Sequence, residues 1–111
     1  ARERESFSDP ATGEVGYRMA SDTRFEIRDH SYRTAGTLEW RVVPERPEWA
    51  RTIGRMSTRI DRPGRALELT TEFTVRSDRT RFHVVFSRRL TENGRRVAER
   101  TWRESIDRDG H

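Results

Sequence analysis

His83 is the residue best placed to act as a base, and Ser87 follows it on the same predicted strand face. A hydrolase triad needs a nucleophile, a base and an orienting acid. The chain has no G-x-S-x-G elbow, and Ser87 lies between Phe86 and Arg88 with no strained turn to present it. His83 is therefore read as a solvated sheet residue paired with a cross-strand carboxylate. His30 sits beside Asp29 in a break-prone stretch, and His111 ends the chain. Scattered histidines without a single cysteine make no metal-ligand spacing, so neither a metal nor a cofactor is expected. Glu68 with Glu72, and Glu99 with Glu104, could in principle do acid–base work. With arginine at so many nearby positions they read instead as ion-paired surface residues, worth about 1 kcal/mol or less each. Gly13, Gly16 and Gly36 are too dispersed for a phosphate cradle.

The tryptophans are the other chemistry-bearing group. Aromatics interleaved with arginine can stack bases, line a ligand pocket or sit in an interface. Trp40 and Trp102 are expected to fill the core, whereas Trp49 is expected to be a cap or contact residue beside a proline-rich loop. Arg100, Trp102 and Arg103 are adjacent enough to form a cation–aromatic docking cluster.

These residues need elements to position them. The clearest stretch is Arg65 to Ile106, which reads as three consecutive antiparallel strands. Leu67, Leu69, Phe73 and Val75 share one face of the first, and Phe82, Val84, Phe86 and Leu90 share one face of the second. Asn93-Gly94 then supplies the positive φ pair of a type I′ hairpin, and the last strand carries Val97, Ala98, Trp102 and Ile106. This period of two predicts a sheet with one buried face. Upstream, Asp9-Pro10-Ala11-Thr12-Gly13 has turn chemistry, so the first twenty residues read as a hairpin ending in a strand from Glu14 to Met19. Thr23 to Tyr32 alternates weakly and suggests an edge strand, broken by Ala35-Gly36. Leu38, Trp40 and Val42 begin a clearer strand that ends at Pro44-Glu45-Arg46-Pro47. A strand from Arg51 to Ile60 follows, reversed by Asp61-Arg62-Pro63-Gly64. No helical period appears. The expected fold is all-β: an antiparallel meander of about seven strands forming a curved sheet, a small sandwich or an open barrel.

The chain has 111 residues, sufficient for a single β-domain over 1–111 and too few for two. Only 31% of residues are hydrophobic and 38% are charged, a lean composition that suits a one-sided sheet or a domain resting on a partner. It begins with Ala rather than Met and reads as a piece of a longer chain. No signal peptide and no run near the roughly 20 apolar residues of a membrane helix occurs, so no membrane contact is expected and the location reads as cytoplasmic. All 23 basic residues are arginine, interspersed with 19 acids. A nucleic-acid footprint would be a clustered basic stripe, so that partner is disfavoured.

The final strands carry a more specific pattern. Thr74, Asp78 and Phe82, then Glu92-Asn93-Gly94, then Arg100, Trp102, Ile106, Arg108 and Asp109 follow one another at set spacing. This resembles the C-terminal β-rich segment of CocE/NonD-type hydrolases, relatives of cocaine esterase and X-Pro dipeptidyl-peptidases. Asp107 stands where that family usually has proline. The resemblance covers Arg65 to Gly110 well and the first half only loosely. It implies a non-catalytic accessory domain, because the family's Ser-His-Asp chemistry belongs to an α/β-hydrolase domain whose motifs this chain lacks. The implied partner is that catalytic domain or a subunit of the same protein, and Arg108 and Asp109 join Arg100, Trp102 and Arg103 as the docking signature.

Two other functions fit the residues. One is a stand-alone small-ligand-binding sheet or barrel whose cavity is lined by Trp40, Phe82, Phe86 and Trp102. The other, ranked last, is an arginine-mediated nucleic-acid binder.

Overall fold

A computed structural model describes residues 2–108; Asp109, Gly110 and His111 lie outside the described residues. The chain forms seven antiparallel strands in sequential order: β1 (Arg2–Asp9), β2 (Glu14–Ile27), β3 (His30–Val43), β4 (Arg46–Arg62), β5 (Arg65–Ser77), β6 (Arg81–Glu92) and β7 (Arg95–Asp107). The sheet is an open meander, not a closed barrel, with β1 and β7 at its edges. Among the described residues there is no helix, and hence none long and apolar enough to cross a membrane.

The turns carry the chemistry expected of tight hairpins. Gly13, Gly64 and Gly94 have φ of 75°, 75° and 80°. Asn93 adopts φ 51°, its amide donates to the Ala66 carbonyl at 2.7 Å, and its Oδ1 accepts from the Ala66 amide at 2.7 Å. The β6–β7 turn is thereby tied to the neighbouring β4–β5 hairpin.

Several strands run longer than alternation alone suggests. The strand expected from Thr23 to Tyr32 is split by a turn at Arg28 and Asp29: its first residues continue Glu14–Met19 as β2 and its last open β3, both interior strands rather than an edge. Ala35-Gly36 does not break β3: Gly36 keeps its place in the ladder opposite both Ser21 and Met56. A glycine in a strand weakens it without ending it when both neighbours pair. Pro47 likewise lies inside β4. It is tolerated because Val42 pairs with Ala50 and Val43 with Arg46, so Pro47, Glu48 and Trp49 bulge out of the ladder. Ser77 Oγ and the Arg108 guanidinium close this bulge by donating to the Glu48 carbonyl at 2.8 and 2.7 Å.

The two faces differ in chemistry because alternation is kept across all seven strands. One cross-strand row reads Arg4, Met19, Leu38, Gly54, Phe73, Phe86 and Trp102. Neighbouring rows on this face bring Tyr17, Trp40 and Val75, and then Val15, Val42, Phe82 and Ile106. The opposite face carries ion pairs. Arg18 bonds Glu5 and Glu39; Arg41 bonds Glu39, Asp9 and Glu14; and Arg51 bonds Glu14. The Arg51 and Thr12 hydrogen bonds hold the Glu14 carboxyl below its ordinary range despite its burial.

No apolar side chain among the described residues is buried. The expected buried face is therefore present as a pattern but has no covering layer among the described residues. A single sheet has no second layer to close on, and a stable domain needs two. The molecule measures 53 × 29 × 27 Å. A flat sheet with its side chains would be only about 10 Å thick, so the third dimension reflects twist and curl.

Candidate functional site

The curl turns the apolar face into a groove. Arg2 and Arg4 of β1 and Phe86 of β6 line the same depression of about 640 Å³, with Met19, Leu38, Met56 and Phe73 between them. Two of its lining positions, Gly36 and Gly54, are glycine. The Phe73 ring lies over Gly54, where a Cβ would stand 2.1 Å from ring Cε1, and a Cβ on Gly36 would stand 3.1 Å from the Arg55 carbonyl oxygen. On the other face Ala20, Ala35, Thr37 and Ser57 leave a smaller hollow of about 390 Å³.

Trp40 and Trp102 do not fill a core, since none exists for them to fill. Trp40 is 56% exposed and packs edge-on against Tyr17, with ring centroids 5.9 Å apart. Trp102 is half-buried against Phe86 at 5.3 Å. Trp49 is 46% exposed, carried out of the ladder by the β3–β4 bulge.

The cation–aromatic cluster has a different membership from the one predicted. Arg100 stacks over Trp102 at 4.8 Å, but its companion is Arg88 of β6, at 5.7 Å. Arg103 pairs with Val85 on the opposite face, because adjacent residues of a strand point apart. Arg88 directly opposes Arg100 in the β6–β7 ladder. Sequence spacing missed it because Val97 bulges where the register shifts between Leu90 and Thr91.

Arg108 is engaged within the chain. Its guanidinium donates to the Glu48 and Asp78 carbonyls at 2.7 and 2.6 Å and lies 5.6 Å from the Phe82 ring centroid. It clamps the β3–β4 bulge to the β5–β6 turn. Asp109 is outside the described residues. Of the predicted ligand-lining set, Phe86 lines the groove and Trp102 adjoins it in the same row. Trp40 and Phe82 share the face but lie in other rows.

His83 finds its carboxylate in the preceding turn rather than across the ladder. Its Nε2 lies 2.9 Å from Asp78 Oδ2, while its cross-strand partner is Ser105. Asp78 Oδ1 also accepts from the Thr80 and Arg81 amides at 2.9 and 2.8 Å. The His83 contact first, and these amides after it, hold the Asp78 carboxyl well below the ordinary carboxylate range. His83 Nδ1 lies 3.5 Å from Ser105 Oγ, an Asp–His–Ser series with the two ring nitrogens exchanged relative to a serine-hydrolase triad. Here the Ser105 hydroxyl accepts from Arg81 Nε at 2.6 Å and sits mid-strand on β7. A charged donor on the hydroxyl and a regular ladder position order the turn; neither builds a nucleophile elbow. Among the described residues no group of His, Cys, Asp or Glu is gathered to hold a metal ion.

No protein-family model, no curated protein and no solved structure matches this chain.

Proposed function

We propose that the chain is a non-catalytic accessory β-domain of a larger serine hydrolase of the acyl esterase or peptidase type, and that it works by packing its apolar face against the catalytic domain or a subunit of the same protein. One observation carries this reading: the sheet gathers most of its large apolar side chains on one curled face, with Phe7, Ile53 and Val85 on the other, and buries none of them. Covering a fully exposed Leu, Phe or Met side chain gains about 1.5–3 kcal/mol, so a face of this size has a strong drive to be covered. The resemblance of the β5–β7 pattern to the C-terminal segment of CocE/NonD-type hydrolases supplies the identity of the partner. The soluble site of action expected from the sequence belongs to the same reading.

The test is the reading frame around the chain. The proposal expects a G-x-S-x-G-bearing hydrolase domain upstream of Ala1. It also expects no ester hydrolysis by residues 1–111 alone, and activity in the whole polypeptide that is lost on heating sooner when the β-domain is deleted. A gene that starts immediately before Ala1 contradicts it.

The groove favours a second reading, a small-ligand-binding sheet. Its volume of about 640 Å³ falls in the range of small-molecule sites. Unchanged tryptophan fluorescence across a panel of apolar ligands counts against that reading.

A further inference from the structure

The apolar face is not purely apolar. Arg2 and Arg88 belong to one cross-strand row, running through Ser21, Gly36, Met56 and Thr71 and ending on Arg100. Arg4 opens the adjacent row, which ends on Trp102. Arg2, Arg4, Arg88 and Arg100 thus bracket the groove at its β1 side and its β6–β7 side. Among the described residues none of them has a carboxylate partner, whereas Arg18, Arg33, Arg41, Arg51 and Arg59 on the other face all do.

This arrangement constrains whatever covers the groove. A partner that buried only apolar surface here would strip water from several guanidinium groups and leave them uncompensated, which is strongly unfavourable. The partner must therefore bring carboxylates to both sides. Its shape is constrained too. The curl makes the groove concave, so that it accepts a convex rod rather than a flat sheet. A helix with its side chains is such a rod, about 10 Å across. A second copy of this chain would oppose a concave groove to a concave groove and arginine to arginine.

We propose that the groove is the seat of an amphipathic α-helix with an apolar stripe and acidic flanks, the stripe lying over Met19, Leu38, Met56 and Phe73 and the acids meeting Arg2 and Arg4 on one side and Arg88 and Arg100 on the other. This rests on the docking reading above and specifies the element that docks.

The test uses residues 1–111 and three synthetic peptides of about 18 residues. One carries leucines at i, i+3, i+4 and i+7 with glutamates on both flanks. The second replaces those glutamates with lysines, and the third keeps the acidic composition but scrambles the leucine spacing. Binding is followed by tryptophan fluorescence and calorimetry. The expected result is that the first peptide binds at least tenfold more tightly than either of the others. R88Q/R100Q should weaken the preference and R2Q/R4Q/R88Q/R100Q should abolish it, both with an unchanged far-UV spectrum, and R2E/R4E/R88E/R100E should reverse it toward the lysine peptide. Equal binding of the acidic-flanked and lysine-flanked peptides overturns the inference but leaves apolar docking standing. No binding by any peptide to a monomeric chain also overturns it, and the docking reading is then judged separately on the joined polypeptide. Concentration-dependent self-association that blocks the groove, or preferential binding to anionic phospholipid vesicles, overturns it in favour of a second copy or a lipid surface.

Discussion

The Phe73 ring lies over Gly54, its register partner across the β4–β5 ladder, and occupies the space a Cβ would take. The aromatic ring replaces the side chain that glycine lacks and shields its backbone, so Gly54 is buried in a sheet where almost nothing else is. Any side chain at 54 must push the ring into the groove. G54V is expected to destabilise the chain by about 1–3 kcal/mol, read from urea midpoints, and the double variant G54V/F73L should recover most of that loss. G16A should cost more than G54A, because a Cβ at 16 would stand 2.1 Å from the Trp40 carbonyl oxygen, a backbone atom that cannot swing aside.

Asp78 makes stability depend on acid. Its carboxyl titrates below its ordinary value near 3.8 because the ionised form accepts from His83 and the Thr80 and Arg81 amides. A depressed folded value means that the ionised group stabilises the fold above about pH 4, and that this contribution is lost as pH falls toward the folded value. D78N keeps an oxygen for the two amides but cannot ionise. Thermal melts between pH 2 and 5 are expected to show a shallower acid loss in D78N than in the parent chain. An unchanged slope would show that other carboxylates carry the acid response.

Arg41 is the hub of the ion-pair face, bonding Asp9, Glu14 and Glu39 with its own side chain only 15% exposed. These contacts raise its pKa above the ordinary arginine value. R41A strands Glu14, which is buried, with Arg51 alone, and is expected to cost about 1–3 kcal/mol in chemical denaturation. R59A breaks an exposed pair with Asp61 and should leave the denaturation midpoint close to that of the parent.

Arg28 holds φ 57° in the β2–β3 turn, a conformation that L-residues other than Asn and Asp rarely adopt. R28G is expected to stabilise by about 0.5–1 kcal/mol in the same denaturation series, since glycine enters this region without steric cost. N93A at the β6–β7 turn should act oppositely, losing about 1–2 kcal/mol with its hydrogen bond to Ala66.

The meander itself was legible in the residues. Alternation at Leu67–Val75 and Phe82–Leu90, with Asn93-Gly94 between strands, fixed the order and hand-off of the last three strands without coordinates. Strand length was not legible at Ala35-Gly36 or Pro47, because whether glycine or proline ends a strand depends on neighbours that only the sheet supplies. The cation–aromatic site was half legible. Arg100 and Trp102 are two apart and share a face, but a bulge-free two-residue turn would put Arg88 opposite Glu99, and only the bulge at Val97 brings it opposite Arg100. The expected core was misplaced for a simpler reason: alternation reveals which face is apolar but not whether anything covers it.

The exposure of Trp40 measures directly whether the apolar face is uncovered. In W49F/W102F, Trp40 is the only tryptophan of residues 1–111 and stands on the apolar face. Acrylamide quenching of this variant, with the signal of W40F/W49F/W102F subtracted, is to be compared between residues 1–111 alone and the same residues joined to the hydrolase domain proposed above. Strong quenching is expected in the isolated chain, with a several-fold lower quenching constant in the joined protein. Equal quenching in both would contradict the proposed docking.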